Sequence, residues 1–182
     1  MRIDPPASLD RILSRLESMG KSIRPVRRDH LHVTLKFFGN VEQSAVAALC
    51  RSLDEVISAR EAFNWSLFGT GAFPSPARPS VVWAGAVDQD GFADLAAEIE
   101  SRGEALGFVR EGRPFHAHVT LARIKFRPPD ELAALLRETA EIDFGPQRAK
   151  EVVLFQSTLG RSGSTYTPLH VAKLTGQVRR AQ

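Results

Sequence analysis

One hexapeptide occurs twice in this 182-residue chain, and no other feature constrains it as much. His30-Leu31-His32-Val33-Thr34-Leu35 returns as His116-Ala117-His118-Val119-Thr120-Leu121, identical at five of six positions. The chain has five histidines, and four of them lie in these two segments. Each copy alternates polar and apolar residues with the two-residue period of a half-buried strand. Val and Leu then face a core, while His and Thr two residues apart share the opposite face. A duplicated strand motif implies a duplicated architecture, in which two similar halves meet about a pseudo-two-fold axis. Two such strands side by side would present two imidazoles and two hydroxyls to one cleft.

The segments between the motifs give the fold class. Leu9, Ile12, Leu13 and Leu16 recur at helical spacing between Ser8 and Gly20, and the spacing predicts a second helix from Glu42 to about Arg60. Further helices are expected over Gly91–Leu106 and Pro129–Ala140. Strands are expected over 31–38, 63–68, 80–87, 115–124, 151–159 and 166–174. Gly/Pro-rich loops over 69–79 and 160–164 complete the pattern. Gly-containing turns suit hairpins better than strict βαβ alternation. The expectation is therefore an α+β fold with antiparallel sheets, residues 1–182 forming one domain or one domain made of two similar lobes.

Composition removes several classes. Hydrophobic residues make up 43% of the chain and charged residues 25%, enough for a real core. No apolar run reaches the roughly 18 residues of a membrane span. Met1-Arg2-Ile3-Asp4-Pro5-Pro6 lacks a signal-peptide core. The single cysteine, Cys50, excludes an internal disulfide and multi-cysteine zinc sites, and its amphipathic surroundings suit a structural thiol. These features point to a cytoplasmic protein without membrane association, and a monomer is expected. The net charge of +3 is too mild to argue for nucleic acid by itself. Arginines do gather near the motifs, with Arg24, Arg27 and Arg28 before the first and Arg110, Arg113, Arg123 and Arg127 around the second. A solvated surface explains them equally well.

The chemistry available to the repeat is acid–base chemistry at phosphorus. Histidine titrates near neutrality, so one imidazole can act as a base while the other, protonated, acts as an acid. Threonine hydroxyls can donate to non-bridging phosphate oxygens. This set needs neither metal nor cofactor. Two His-x-His pairs on strands could alternatively ligate a metal, but neither motif contains an Asp, Glu or Cys, and both retain Thr. A non-catalytic RNA- or nucleotide-binding domain is a second alternative, although binding alone does not require two facing histidines.

The two His-x-Thr-Leu motifs, with Lys36-Phe37-Phe38-Gly39 after the first and Ala122-Arg123 after the second, resemble the 2H phosphoesterase superfamily. Within it the chain is most similar to the bacterial and archaeal RNA 2′,3′-cyclic phosphodiesterases, historically called 2′-5′ RNA ligases. Pro79 to Gly85, Arg113-Pro114-Phe115, Gln156-Ser157 and Gly163 to Tyr166 add to the likeness, which runs from residue 5 to 174. The resemblance implies a bilobal fold over residues 1–182, two pseudo-symmetric antiparallel-sheet lobes that each hold one motif and flank a central cleft, and hydrolysis of a 2′,3′-cyclic phosphate at an RNA end to a 2′-phosphomonoester. It implies that His32 protonates the departing O3′, that His118 activates water, and that Thr34 and Thr120 hold the phosphate. The same pair run in reverse would join RNA through a 2′-5′ bond. A cyclic-phosphate esterase acting on small nucleotides is the alternative within this class.

Other residues are less constrained. The family carries an arginine at the position of Arg123, where it serves phosphate or transition-state charge. Strict alternation, however, puts residue 123 on the opposite face from His118, so the role requires the strand to end or bend near Ala122. Phe37 is the corresponding residue of the first motif and is a candidate for stacking on a nucleobase, or for the core. Lys36 shares the parity of His32 and is a candidate for an RNA backbone contact. His30 and His116 sit one pleat earlier, at the expected edge of the cleft, and His170 has no assigned role. Family members usually open with an apolar strand, of which only Met1-Arg2-Ile3 precedes Asp4-Pro5-Pro6 here, so one sheet edge is expected to be short.

Overall fold

A computed structural model describes residues 1–87, 90–160 and 163–175. The fold is α+β, with every strand pairing within its sheets antiparallel. Helix α1 (Ala7–Ser18) leads to the short strand β1 (Ile23–Pro25), a 3₁₀ turn over Arg28–His30, and the first motif. Helix α2 (Gln43–Ser58) is followed by the hairpin β2 (Phe63–Ser75) and β3 (Arg78–Val87), then by helix α3 (Asp90–Ala105). Strand β4 (His118–Ile124) carries the second motif; helix α4 (Glu131–Thr139) and strands β5 (Asp143–Ala149), β6 (Glu151–Gly160) and β7 (Gly163–Lys173) complete the described chain. A five-stranded sheet has the order β1-β4-β3-β2-β5, and β6 pairs with β7 in a second, two-stranded sheet. The expected loop over 160–164 includes residues 161 and 162, which lie outside the described residues.

One face of the larger sheet is buried. Val82, Ala84, Val119, Leu121 and Ala122 are fully covered and belong to one core with Leu9 and Leu16 of α1, Leu95 of α3 and Leu135 of α4. The ring of Phe92 meets those of Trp65 and Phe63, each with centroids 5.0 Å away. Apolar burial of this kind supplies the main driving force, about 25 cal/mol per Å² removed from water. The opposite face is left for chemistry.

Several local expectations change. The Gly/Pro-rich stretch 69–79 is mostly strand rather than loop, because two register shifts let β2 and β3 stay paired through it. Gly69 (φ +62°) supplies one of them, and an added Cβ there would meet the Ala140 carbonyl oxygen at 2.3 Å. The expected strand over 31–38 contracts to bridges at His32 and Val33. Beyond that point, Lys36 is drawn to α3 by an ion pair with Glu100 and to the segment after that helix by a hydrogen bond to the Val109 carbonyl. A contact between Lys36 and RNA is therefore withdrawn, since its side chain is only 2% exposed and its charge is spent. Two strands go beyond the sequence pattern: β1, which reads as a charged turn, and β5, whose Pro146 is tolerated because β5 lies at the sheet edge. Among the described residues no helix is long and apolar enough to cross a membrane.

Candidate active site

The two motifs meet at their valines. Val33 and Val119 form an antiparallel bridge, and both side chains are fully buried. In antiparallel register, one step back on one strand opposes one step forward on the other. His32 thus falls opposite Thr120 and Thr34 opposite His118. The four polar side chains occupy the corners of a square on the face away from the core, with the histidines on one diagonal. Met1 and Arg2 pair along the other edge of the first motif, through Val33 N–H to the Met1 carbonyl at 2.9 Å and the Arg2–His32 bridge. The first motif is thereby held from both sides despite having no long ladder of its own.

Both histidines are oriented by the same device. His32 Nδ1–H donates to the His30 carbonyl at 2.7 Å, and His118 Nδ1–H donates to the His116 carbonyl at 2.7 Å. A carbonyl only accepts, so Nδ1 carries the hydrogen in both rings and Nε2 is left as the acceptor nitrogen of each neutral ring. His30 and His116 therefore matter through their backbone oxygens, a contribution that no side-chain pattern reveals. Burial pushes the pKa of both His32 and His118 down, and the bonds to the carbonyls partly oppose it. Neighbouring positive charges push the same way as burial but more weakly, including His118 acting on His32 and Arg123 acting on His118.

Each imidazole also leans on an aromatic pair from a hairpin. Phe73 of β2 approaches the His118 ring edge-on at 5.0 Å, and Trp83 of β3 lies 5.5 Å from His116 and 6.5 Å from His118. On the other side, Tyr166 of β7 is 5.0 Å from His32 and Phe155 of β6 is 6.0 Å away. The sequence pattern assigns these four aromatics no role at the site. Their only signal is that Trp83 and Tyr166 stand at corresponding places of the two halves. A pocket of about 250 Å³ opens beside His32, with Arg2, Asp29, His30, Phe155 and Tyr166 among its lining residues.

Arg123 reaches the face of His118 by way of a bulge. Strand β3 runs without interruption, with Gly85, Trp83 and Val81 opposite His118, Thr120 and Arg123. Three residues of β4 thus span the two-residue step from Trp83 to Val81, and Leu121 is the extra one. Leu121 and Ala122 are both fully buried, after which Arg123 emerges on the side of His118. Phe37 is 76% exposed and makes no ring contact with the other site residues. His170 pairs with Asp54 of α2 at 2.7 Å, apart from the site. Among the described residues no group of three or more His, Cys, Asp or Glu side chains is placed to hold a metal ion.

Two Nε2 atoms and two hydroxyls share one open face with an arginine beyond them, an arrangement suited to a phosphoester. The chain belongs to the LigT-like phosphoesterase family, whose model matches it twice, over residues 3–83 and 86–166. The two matched halves end at Trp83 and Tyr166, and each contains one motif. An RNA 2′,3′-cyclic phosphodiesterase of Aeropyrum pernix is 35% identical over 94% of this chain and 97% of its own. The structure of TT0787 of Thermus thermophilus superposes with a TM-score of 0.80 at 26% identity, covering 94% of this chain and 92% of that one. LigT of E. coli complexed with 3′-AMP gives a TM-score of 0.71 at 28% identity over 95% of each chain.

Proposed function

We propose that this chain is an RNA 2′,3′-cyclic phosphodiesterase that opens a terminal cyclic phosphate to a 2′-phosphomonoester. The observation that carries the reading is the diagonal pair of Nδ1-tethered histidines, because in-line displacement needs one proton carrier at the entering oxygen and one at the leaving oxygen. His118, neutral, takes a proton from water through Nε2 as the water attacks phosphorus. His32, protonated, gives a proton to O3′ as the P–O3′ bond breaks. Thr34 and Thr120 donate to the non-bridging oxygens, and Arg123 neutralises the charge that gathers there. Phe37, three residues beyond Thr34 and open to solvent, offers a face for a nucleobase. Reversal of the same steps would yield a 2′-5′ link. The assignment of acid and base follows the family likeness, since the square itself is nearly symmetric.

No step in this scheme uses a metal ion, so turnover should persist in EDTA. The deciding experiment is product analysis on an oligoribonucleotide ending in a 2′,3′-cyclic phosphate. A 2′-phosphate product supports the reading, and a 3′-phosphate product would exchange the leaving oxygen. Absence of turnover on both this substrate and nucleoside 2′,3′-cyclic phosphates would overturn it.

A further inference from the structure

The arginines near the motifs divide into two groups. Arg27 pairs with Asp29, Arg28 with Asp10, Arg110 with Glu104 and Arg113 with Glu111. Arg127, exposed beyond the end of β4, has no hydrogen-bond or ion-pair partner among the described residues, and neither do Arg24 and Arg123. The last two are also direct cross-strand neighbours, Arg24 of β1 opposite Arg123 of β4. Paired residues of an antiparallel ladder share a face, so both guanidinium groups lie on the face of His118 and Thr120. Ile23 and Pro25 turn the other way, and Ile23 is buried.

Two like charges directly opposite each other destabilise a sheet. The arrangement is relieved when phosphate groups bind there. Strand β1 is short but firmly placed, with Val26 N–H bonded to the Leu121 carbonyl at 2.7 Å and Lys125 N–H to the Ser22 carbonyl at 2.8 Å. Pro25 further restricts the backbone next to Arg24. The Arg24–Arg123 pair lies two residue steps of β3 beyond the level of Thr120, roughly 7 Å along the strand. A phosphate seated over the His–Thr square would therefore have its chain neighbour within reach of this pair.

We propose that Arg24 binds the phosphodiester that joins the terminal nucleotide to the rest of an RNA chain, while its neighbour Arg123 stays with the cyclic phosphate, and that Arg24 so makes the enzyme favour polynucleotide ends over nucleoside cyclic phosphates. This inference rests on the function proposed above. A guanidinium matches a phosphodiester with two parallel hydrogen bonds. A nucleoside 2′,3′-cyclic phosphate has no second phosphate and gains nothing from Arg24.

The test compares kcat/KM on an oligoribonucleotide ending in a 2′,3′-cyclic phosphate with kcat/KM on the matching nucleoside 2′,3′-cyclic monophosphate. Arg24→Ala should lower the oligonucleotide-to-mononucleotide ratio by about tenfold, chiefly through KM, the loss expected for a hydrogen bond to a charged group. The dependence of log(kcat/KM) on log[salt] for the oligonucleotide should become shallower by about 0.7, one contact on a single strand. Arg24→Gln, which keeps much of the side-chain stem, should give the same change if the alanine variant folds poorly. Arg51→Ala, on an exposed position of α2, serves as the charge control and should leave the ratio at its wild-type value. An unchanged ratio in both Arg24 variants, or an equal fall in Arg51→Ala, overturns the inference while leaving the proposed function standing. Failure of the wild-type protein to hydrolyse either substrate overturns both.

Discussion

Val33 and Val119 lie against each other at the point where the two halves of the chain meet, each with its side chain fully buried. Because the bridge between them is antiparallel, every polar residue that follows one valine is set against the polar residue that precedes the other. The histidines are therefore diagonal rather than adjacent. An adjacent pair would crowd two imidazoles on one side of a substrate. A diagonal pair leaves room for a phosphorus atom between them, with a hydroxyl beside each ring. The buried valine pair is what converts a repeated sequence into a two-sided site.

Removing either imidazole should remove one half of proton transfer. His32→Ala and His118→Ala are each expected to lower kcat on a 2′,3′-cyclic phosphate by on the order of 10²–10⁴-fold. Both rings are half-buried at the surface of the core, so thermal unfolding midpoints should change little. Steady-state kinetics beside a melting curve checks both statements. Wild-type-like turnover in either variant would exclude the two-histidine mechanism.

The pH profile follows from the direction of the pKa shifts. Burial lowers both histidines below their ordinary value of about 6.5, and the reaction needs His32 charged and His118 neutral. Activity in kcat/KM should fall at low pH as His118 gains a proton, and fall at high pH as His32 loses one. The maximum should therefore lie on the acid side of about 6.5. A bound phosphodiester is an anion and favours both imidazolium forms, so the kcat profile should be displaced toward higher pH. Measuring both profiles on the same protein tests the sign; a kcat maximum more acidic than that of kcat/KM would contradict it.

Thr34 and Thr120 should prove separable from the histidines. Thr→Val at either position keeps the shape and removes the hydroxyl. The expected cost is about 1.5–3 kcal/mol of transition-state stabilisation, as for a hydrogen bond to a charged group. Thr→Ser at the same sites should recover most of the activity. If valine is tolerated at both positions, the hydroxyls do not hold phosphate.

The placement of the motif residues was legible in the chain because the motif is written twice. The period-two pattern around His32 and His118 sets the face of every motif residue, and the repeat itself implies the two-fold relation. What stayed hidden has local physical causes. Arg123 reads as facing away, since a bulge at Leu121 leaves no mark in a run of apolar residues. Strand β1 is three residues long and carries Arg and Pro, so propensity favours a turn, and only its pairing with β4 makes it a strand. The role of His30 and His116 is carried by carbonyl oxygens, which every residue has. Lys36 has the parity of His32 and Thr34 but is claimed by Glu100, 64 positions away, a distance no local pattern crosses.

The Lys36–Glu100 pair should be a stability element that fixes the segment leaving the first motif. The Lys36 side chain is 2% exposed and that of Glu100 13%, so either charge left alone would be poorly solvated. Lys36→Met is expected to destabilise the protein by about 3–5 kcal/mol, the usual cost of stranding a buried partner. The double variant Lys36→Met/Glu100→Gln should recover part of that loss, because no uncompensated charge remains. Denaturant unfolding of the two variants decides it, and equal losses in both would show that packing of the lysine stem, not charge, is what matters.

Gly71 offers a way to disturb the site without touching any group that meets substrate. A Cβ at this position would come within 2.3 Å of Trp83 Cζ2 and 2.5 Å of its Cη2, closer than real contacts allow. The indole therefore lies directly over Gly71, and from there it packs against Phe73 at 5.3 Å and against His116 and His118. A rigid bicyclic ring cannot give way as a flexible side-chain end would. Gly71→Ala should push the indole toward the histidines at a cost of about 1–3 kcal/mol in stability, typical of overpacking. The indole bears on His118 both directly and through Phe73, which is 5.0 Å from that ring, so kcat should fall more than KM rises, and the acid limb of the pH profile should move. Trp83→Phe in the Gly71→Ala background removes the clashing ring and should restore part of the activity. If that second change brings no recovery, the effect of Gly71→Ala does not pass through Trp83.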